Sequence, residues 1–404
     1  MTGSVAAIAK DSPTGAGIYV IPEEMLESFW QRAPAYDRDN RFFEEDFRDL
    51  LPTGYMKLAV PKELGGLGRS LAEAAREQRR LAYFAAPTAL AMNMHLYWTG
   101  LAADLWRSGD KSLEWLLRGA VQGEVYAAGH AESGNDLPVL LSTTRAERVD
   151  GGYRFTGRKS FGSLSPVWTY LGVHGMDTSD PAAPKIIHGF LHRDAKNYRV
   201  VETWDVLGMR ATKSDDTILE GAVVPDNRIS RIVAAGPAGL DAFVLGIFAW
   251  ALVGFGNIYY GLARRVFDLT VERLKSKTSL GLSRSMAYHA EVQHEIAEMA
   301  LELESIEPHL ESVAEDWSSG VPHGATWPAK IVAAKYHAVE GSWRVVDAAL
   351  DVSGGFGIFQ KGGLERLFRD ARLGRIHPAN AFLTREIVAK TALGIGLDES
   401  PRWG

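Results

Sequence analysis

The chain has 404 residues, of which 46% are hydrophobic and 23% charged, so it is long enough for two or three domains and too apolar for a disordered chain. A net charge of −6 excludes a global basic field for nucleic acid or an anionic membrane. With no cysteine, disulfides, thiolate nucleophiles and zinc–sulfur or iron–sulfur centres are excluded together, and no other metal site is expected.

Residues 1–17 are small and polar with no apolar run, which reads as a loose arm and not a signal peptide. From about residue 22 to 119 apolar residues recur at helical spacing, as at Leu71, Ala74, Ala75, Leu81 and Ala82. Turns at 51–55 and 60–68 interrupt them. From about 123 to 229 the pattern alternates, with half-buried strands predicted at 152–156 and 216–220 and turn clusters at 150–152, 179–181 and 224–227. From 239 to 397 the helical period returns. A buried apolar stretch at 242–255 falls short of the roughly 20 residues that span a bilayer. Amphipathic helices are predicted around Val266–Leu274 and Val292–Leu303, then over 328–352 and 381–393. Glycines 354, 355 and 357 end the third of these. The expected domains are residues 1–120 (helical), 121–236 (β) and 237–404 (a four-helix bundle), in a cytoplasmic protein.

Familiar motifs fail on inspection. Gly355 and Gly357 follow no strand and make no dinucleotide fingerprint, and Gly65–Gly68 lacks the lysine of a P-loop. His294 and Glu295 lack the second histidine of a zincin, and most of the eleven histidines are expected to be structural or surface residues.

Residues 353–372 read SGGFGIFQKGGLERLFRDAR, followed by IHPAN at 376–380. Residues 131–136 read AESGND, 157–163 GRKSFGS, 207–212 LGMRAT, 223–226 VVPD and 60–68 VPKELGGLG. Together, in this order, they resemble the signatures of the acyl-CoA dehydrogenase superfamily over nearly the whole chain from about residue 25. The resemblance implies an α+β multidomain fold, with an N-terminal helical domain, a central β-barrel and a C-terminal four-helix bundle. It implies a flavoprotein oxidoreductase, FAD as cofactor, and a homotetramer with each flavin clamped between two subunits.

The resemblance also places residues. Phe161 would pack on the isoalloxazine and Ser163 would bond near its N5, although a strand residue facing the core is the plainer reading of Phe161. Ala131 stands where the family has a threonine, which leaves that flavin contact to backbone. Gly354 and Gly355 would let a neighbouring subunit approach the cofactor. Lys277 replaces the arginine that holds the pyrophosphate, keeping the charge and losing the bidentate fork. Asp351 replaces a glutamine that meets the phosphates, and an acid there repels them. These departures point to a weakly held, exchangeable flavin, either FMN or reduced FAD supplied by a partner reductase.

The family's base is also missing. Eight positions beyond Asp370, where most relatives carry the glutamate that abstracts the α-proton, stands Pro378. The alternative site on an earlier helix falls at Ala251, beside Trp250. His377 adjoins the vacancy, and the pattern with Asn380 is similar to the two-component flavin monooxygenases on this fold. An imidazole's ordinary pKa near 6.5 suits acid–base work at neutral pH, while a structural role at the turn before Pro378 is the alternative. Asn135 stands where the dehydrogenases carry a substrate-facing serine, and Trp250 with Ala251 is expected to line the substrate pocket. Oxygenation of a small substrate by reduced flavin and O₂ is therefore preferred, slightly, over desaturation of an acyl thioester with His377 or Glu132 as base. A non-catalytic scaffold is the third reading.

Overall fold

In the computed structural model, residues 19–399 are described, and the arm at 1–17 lies outside them. Pro22 leads into α1 (Glu23–Arg38), and α2 (Glu44–Leu50) follows. Helix α3 (Leu71–Arg107) opens on a reciprocal cap, with Ser70 Oγ accepting from Glu73 N–H while Glu73 accepts from Ser70 N–H at 2.9 Å. It breaks at Ala85 (φ −145°, ψ 73°), two residues before Pro87, whose ring and missing N–H oppose an unbroken helix. Helix α4 (Glu114–Val121) closes the first region.

Eight strands follow: β1 (Tyr126–Gly129), β2 (Arg145–Val149), β3 (Gly152–Gly162), β4 (Tyr170–Asp177), β5 (Lys185–His192), β6 (Tyr198–Val201), β7 (Asp215–Pro225) and β8 (Ile229–Ala234). They form one sheet in the order β6-β7-β3-β2-β4-β5-β8, with β1 parallel to β4. This path leaves β6 and β8 as edges, so the expected barrel is an eight-stranded sheet. Strands β3 and β7 pair antiparallel along their length, from Gly152 opposite Pro225 to Gly162 opposite Asp215.

Asp241 caps α5 (Ala242–Ser276), accepting from Val244 N–H at 3.0 Å. This one helix absorbs both the apolar stretch and the first amphipathic helix expected from the sequence. It is long and apolar enough to cross a membrane, yet its most apolar window is mostly buried inside the protein. Helices α6 (Ala290–Ser318), α7 (Trp327–Ser353), α8 (Leu364–Arg372) and α9 (Ala381–Leu393) complete the chain.

Helices α3 and α5 meet closely through glycines. A Cβ on Gly100 would strike the Trp250 ring, and one on Gly254 would strike Asn93. Asp104 accepts from the indoles of Trp250 (2.7 Å) and Trp317 (2.9 Å), joining α3, α5 and α6. Helix α8 joins all three regions. Arg369 pairs with Asp37 of α1 at 2.6 Å and donates to the Leu207 carbonyl at 2.9 Å, while buried Asp370 accepts from Met209 N–H. The backbone of Gly208 lies so close to Arg369 that a side chain there has no room. The segment after α8 is thereby held against the β region.

Candidate active site

Three groups of residues carry the site. The first lies at the end of β3. Phe161 has φ +56° and is 54% exposed, its ring edge-on to Trp204 at 5.8 Å, so it is not the core-facing strand residue of the plainer reading. Beside it, Ser163 Oγ and Ser214 Oγ are 2.7 Å apart, Ser214 and Thr212 hydroxyls 2.7 Å, and Thr212 donates to the Met209 carbonyl at 2.9 Å. Ala131 bridges to Ser160 through its carbonyl (2.9 Å), which fixes the neighbouring loop to this strand.

The second group lies at the end of α7. Lys277 donates to the Ser353 carbonyl at 3.1 Å, beside Gly354, whose φ of +62° suits glycine. Gly355 faces open space, and Phe356, Ile358 and Phe359 that follow are each at least 60% exposed. Asp351 is exposed on the last turn of α7.

The third group surrounds His377. Its ring stacks on Phe255 (4.7 Å) and shares a 2.9 Å hydrogen bond between Nε2 and the Tyr259 hydroxyl. Ala251, Phe255 and Tyr259 are spaced by four along α5, so they share one face. The structure thus brings His377 to the same helix face as the alternative base position, and that face carries no carboxylate. Behind the ring, buried Lys335 of α7 donates to the carbonyls of Ala379 (2.9 Å), His377 (3.0 Å) and Gly374 (3.5 Å). Burial, aided by the Lys335 charge, pulls the His377 pKa down to about 3. Its imidazole is therefore neutral at pH 7, not poised near neutrality as its ordinary value suggests.

The structure gives four of the residues singled out in the sequence other contacts. Asn380 is the N-cap of α9, its Oδ1 accepting from Phe382 and Leu383 N–H at 3.1 Å each. Trp250 points away from the His377 face, into α3 and Asp104. Asn135 braces its own loop, donating to the Leu141 carbonyl (2.7 Å) and to Glu132 (3.1 Å) and accepting from Leu137 N–H (3.0 Å). Glu132 is buried and ion-paired with Lys159 at 2.5 Å, and accepts from Ser142, Thr143 and Thr144 besides. Burial opposes its charge, but Lys159 and the hydroxyl donors prevail and hold its pKa at about 2, so it is a fixed structural anion and not a base.

Phe255, Trp204, Ser214, Thr212 and Lys335 join the site without having been singled out in the sequence. Phe255 was findable, one helical turn beyond Ala251. Lys335 was findable as a lone cation on the apolar stripe of Ile331, Ala334 and Ala338. The hydroxyls reach Ser163 only through the pairing of β7 with β3.

The comparisons agree with this architecture. Residues 23–113 match the family model of the acyl-CoA dehydrogenase N-terminal domain and residues 253–382 that of the C-terminal domain, together more than half of the chain. The chain belongs to the acyl-CoA dehydrogenase superfamily. It is an enzyme of the flavin-dependent oxidoreductase class found in that family. It is 29% identical over 359 residues to the putative acyl-CoA dehydrogenase YdbM of Bacillus subtilis, covering 88% of this chain and 91% of that one. It is 27% identical over 398 residues to L-evernosamine nitrososynthase of a Micromonospora species, covering 96% and 92%. A solved structure of KijD3 with FMN and dTDP-3-amino-2,3,6-trideoxy-4-keto-3-methyl-D-glucose superposes with a TM-score of 0.81 at 25% identity, covering 93% of each chain.

A flavin suits the residues present. The bare Phe161 ring offers an aromatic wall, the Ser163 hydroxyl a polar contact beside it, and Lys277 with the open corner at Gly354 and Gly355 a place for a phosphate.

Proposed function

We propose that the enzyme oxygenates a small substrate, taking reduced flavin from a partner reductase and O₂ from solution. The observation that carries this reading is that the two positions that could bear a glutamate hold Pro378 and Ala251, while the face of α5 that bears Ala251 meets the His377 ring through Phe255 and Tyr259. Both vacant positions remove the carboxylate that takes up the α-proton in thioester desaturation, and burial disfavours the charged form that His377 would become on taking it. A neutral imidazole can still donate and accept hydrogen bonds, orienting a substrate through the nitrogen that Tyr259 does not occupy. The nitrososynthase relatives favour an amine as the group oxygenated, and sugar nucleotides bearing one are the first compounds to try.

Bound reduced flavin would supply two electrons to O₂, one oxygen atom entering the substrate and the other leaving as water. Phe161 and Ser163 would hold its ring and Lys277 its phosphate. Lys277 already gives a hydrogen bond to Ser353, Arg273 gives one to the Phe356 carbonyl, and Asp351 stands exposed two residues before Ser353, so the cations here are shared with protein groups and face an acid. That supports a loosely held FMN, or reduced FAD, over a resident FAD. The exposed Phe356, Ile358, Phe359, Ile376 and Phe382 support association into a homotetramer that covers them.

The test combines flavin-free protein with FMN or FAD kept reduced by a flavin reductase, an amino-sugar nucleotide and ¹⁸O₂. Product carrying one ¹⁸O atom supports the proposal. Bleaching of oxidised flavin by an acyl-CoA in the absence of oxygen, with no labelled product, replaces it with desaturation.

A further inference from the structure

A buried lysine without a carboxylate against it needs a reason. Lys335 is 2% exposed, in the middle of α7, and the described residues give its ammonium no ion pair. All three of its hydrogen bonds end on backbone carbonyls, those of Gly374, His377 and Ala379, and all three belong to the short segment between α8 and α9. An ammonium has three N–H groups, which match three acceptors. A neutral amine would leave one carbonyl facing a lone pair, so the carbonyls favour the ammonium, against a burial that pulls the Lys335 pKa down to about 7.

The groups around it are few. From α5, Tyr259 faces the His377 ring, and burial pushes its phenol up, out of reach of neutral pH. From α8, Asp370 lies behind Tyr259, occupied by Met209 N–H. On α7 itself, Glu340 is the nearest carboxylate and is paired with Arg375 at 3.0 Å. His377 therefore stacks on an aromatic shelf, and its backbone carbonyl receives a cation whose nearest carboxylate is already paired.

We infer that Lys335 is a positioning residue: its three hydrogen bonds to the carbonyls of Gly374, His377 and Ala379 pin the His377-bearing segment against α7 and set its amine beside the backbone that carries the imidazole. The inference rests on placing His377 in the active site, but its test needs no flavin, substrate or turnover. Without the lysine, two things change together: the segment loosens, and His377 becomes able to take up a proton. A residue that served packing alone would produce the first change and not the second.

The experiment uses flavin-free protein labelled with ¹³C at histidine Cε1, the His377 signal being assigned by its absence in His377→Gln. In the unaltered protein the signal is expected to hold its neutral position down to at least pH 5. In Lys335→Met the titration is expected to move towards the ordinary value near 6.5, and in Lys335→Arg to remain low. Hydrogen exchange of the 374–380 amides is expected to quicken about tenfold or more in Lys335→Met, as the loss of hydrogen bonds from a charged donor requires. If His377 of the unaltered protein titrates near 6.5, the inference falls without recourse to any variant. It falls equally if Lys335→Met folds and leaves both the titration and the exchange unchanged. Failure of the oxygenation assay, by contrast, would leave these outcomes untouched.

Discussion

Replacing Lys159 with methionine separates a structural Glu132 from a catalytic one. The two charges lie 2.5 Å apart with side chains 1% and 0% exposed. Burial works against the carboxylate, yet Lys159, Thr144 and Ser142 bring its pKa from 4.5 to about 2, a difference worth about 3 kcal/mol at neutral pH. Burial also draws the Lys159 amine from 10.5 down to about 8, a cost that Glu132 offsets only in part. The pair as a whole thus adds little to stability, whereas breaking it strands a buried charge, at about 3–5 kcal/mol. Lys159→Met and Glu132→Gln are each expected to lose that much in urea unfolding at pH 7. The double variant is expected to recover at least about 2 kcal/mol relative to the sum of the singles, because neither charge is left alone. The pH dependence has a definite sign. A carboxylate with a depressed folded pKa contributes fully above about 4.5, and its contribution drains away as pH falls towards about 2, so Glu132→Gln is expected to flatten the acid limb of unmodified protein. Strictly additive losses would refute the argument. So would a Glu132→Gln protein of unchanged stability that has lost turnover.

Two further outcomes follow from the site. Phe161→Ala is expected to weaken reduced flavin by about 2–10-fold in an anaerobic fluorescence titration, the value of one aromatic stack, and an unchanged Kd would remove that ring from the site. Asn380→Ala is expected to lose about 1 kcal/mol of stability, as a missing N-cap does, with turnover per folded molecule unchanged; a 100-fold fall in kcat at unchanged stability would return Asn380 to the chemistry.

The alternation of helical and strand periods was enough to divide the chain into its three regions, because each region buries one face of its elements. It broke down inside α5. Gly254, Gly256 and Gly261 each mark a place where another chain segment comes close: Asn93, Leu310 and the Arg79 carbonyl in turn. A helix buried on every side has no polar stripe to mark its period, so the 35 residues looked like two pieces. The same geometry explains Trp250. Adjacent residues on a helix point about 100° apart, so correct placement of Ala251 on the site face turns its neighbour towards α3. Asn380 carried a legible cap signal, an asparagine just before Ala381, Phe382 and Leu383.

The protonation of His377 was beyond the reach of any local reading. Position in the sequence identified the imidazole, but its pKa depends on burial and on Lys335, 42 residues away, and its orientation on Tyr259, 118 residues away. Tyr259 reads in the sequence as a pocket-lining or core aromatic and not as a partner of His377, and Lys335 is a lysine in a helix where most lysines face water. Their meeting depends on Arg369 and Asp370 fastening α8 to α1 and to the 207–209 loop, which sets where the next segment can run. The two residues most recognisable as a motif thus act at one remove. They place the backbone that carries His377, and that placement turns an ordinary histidine into one that stays neutral. A substitution that frees α8, such as Arg369→Gln, should therefore disturb the imidazole without touching it.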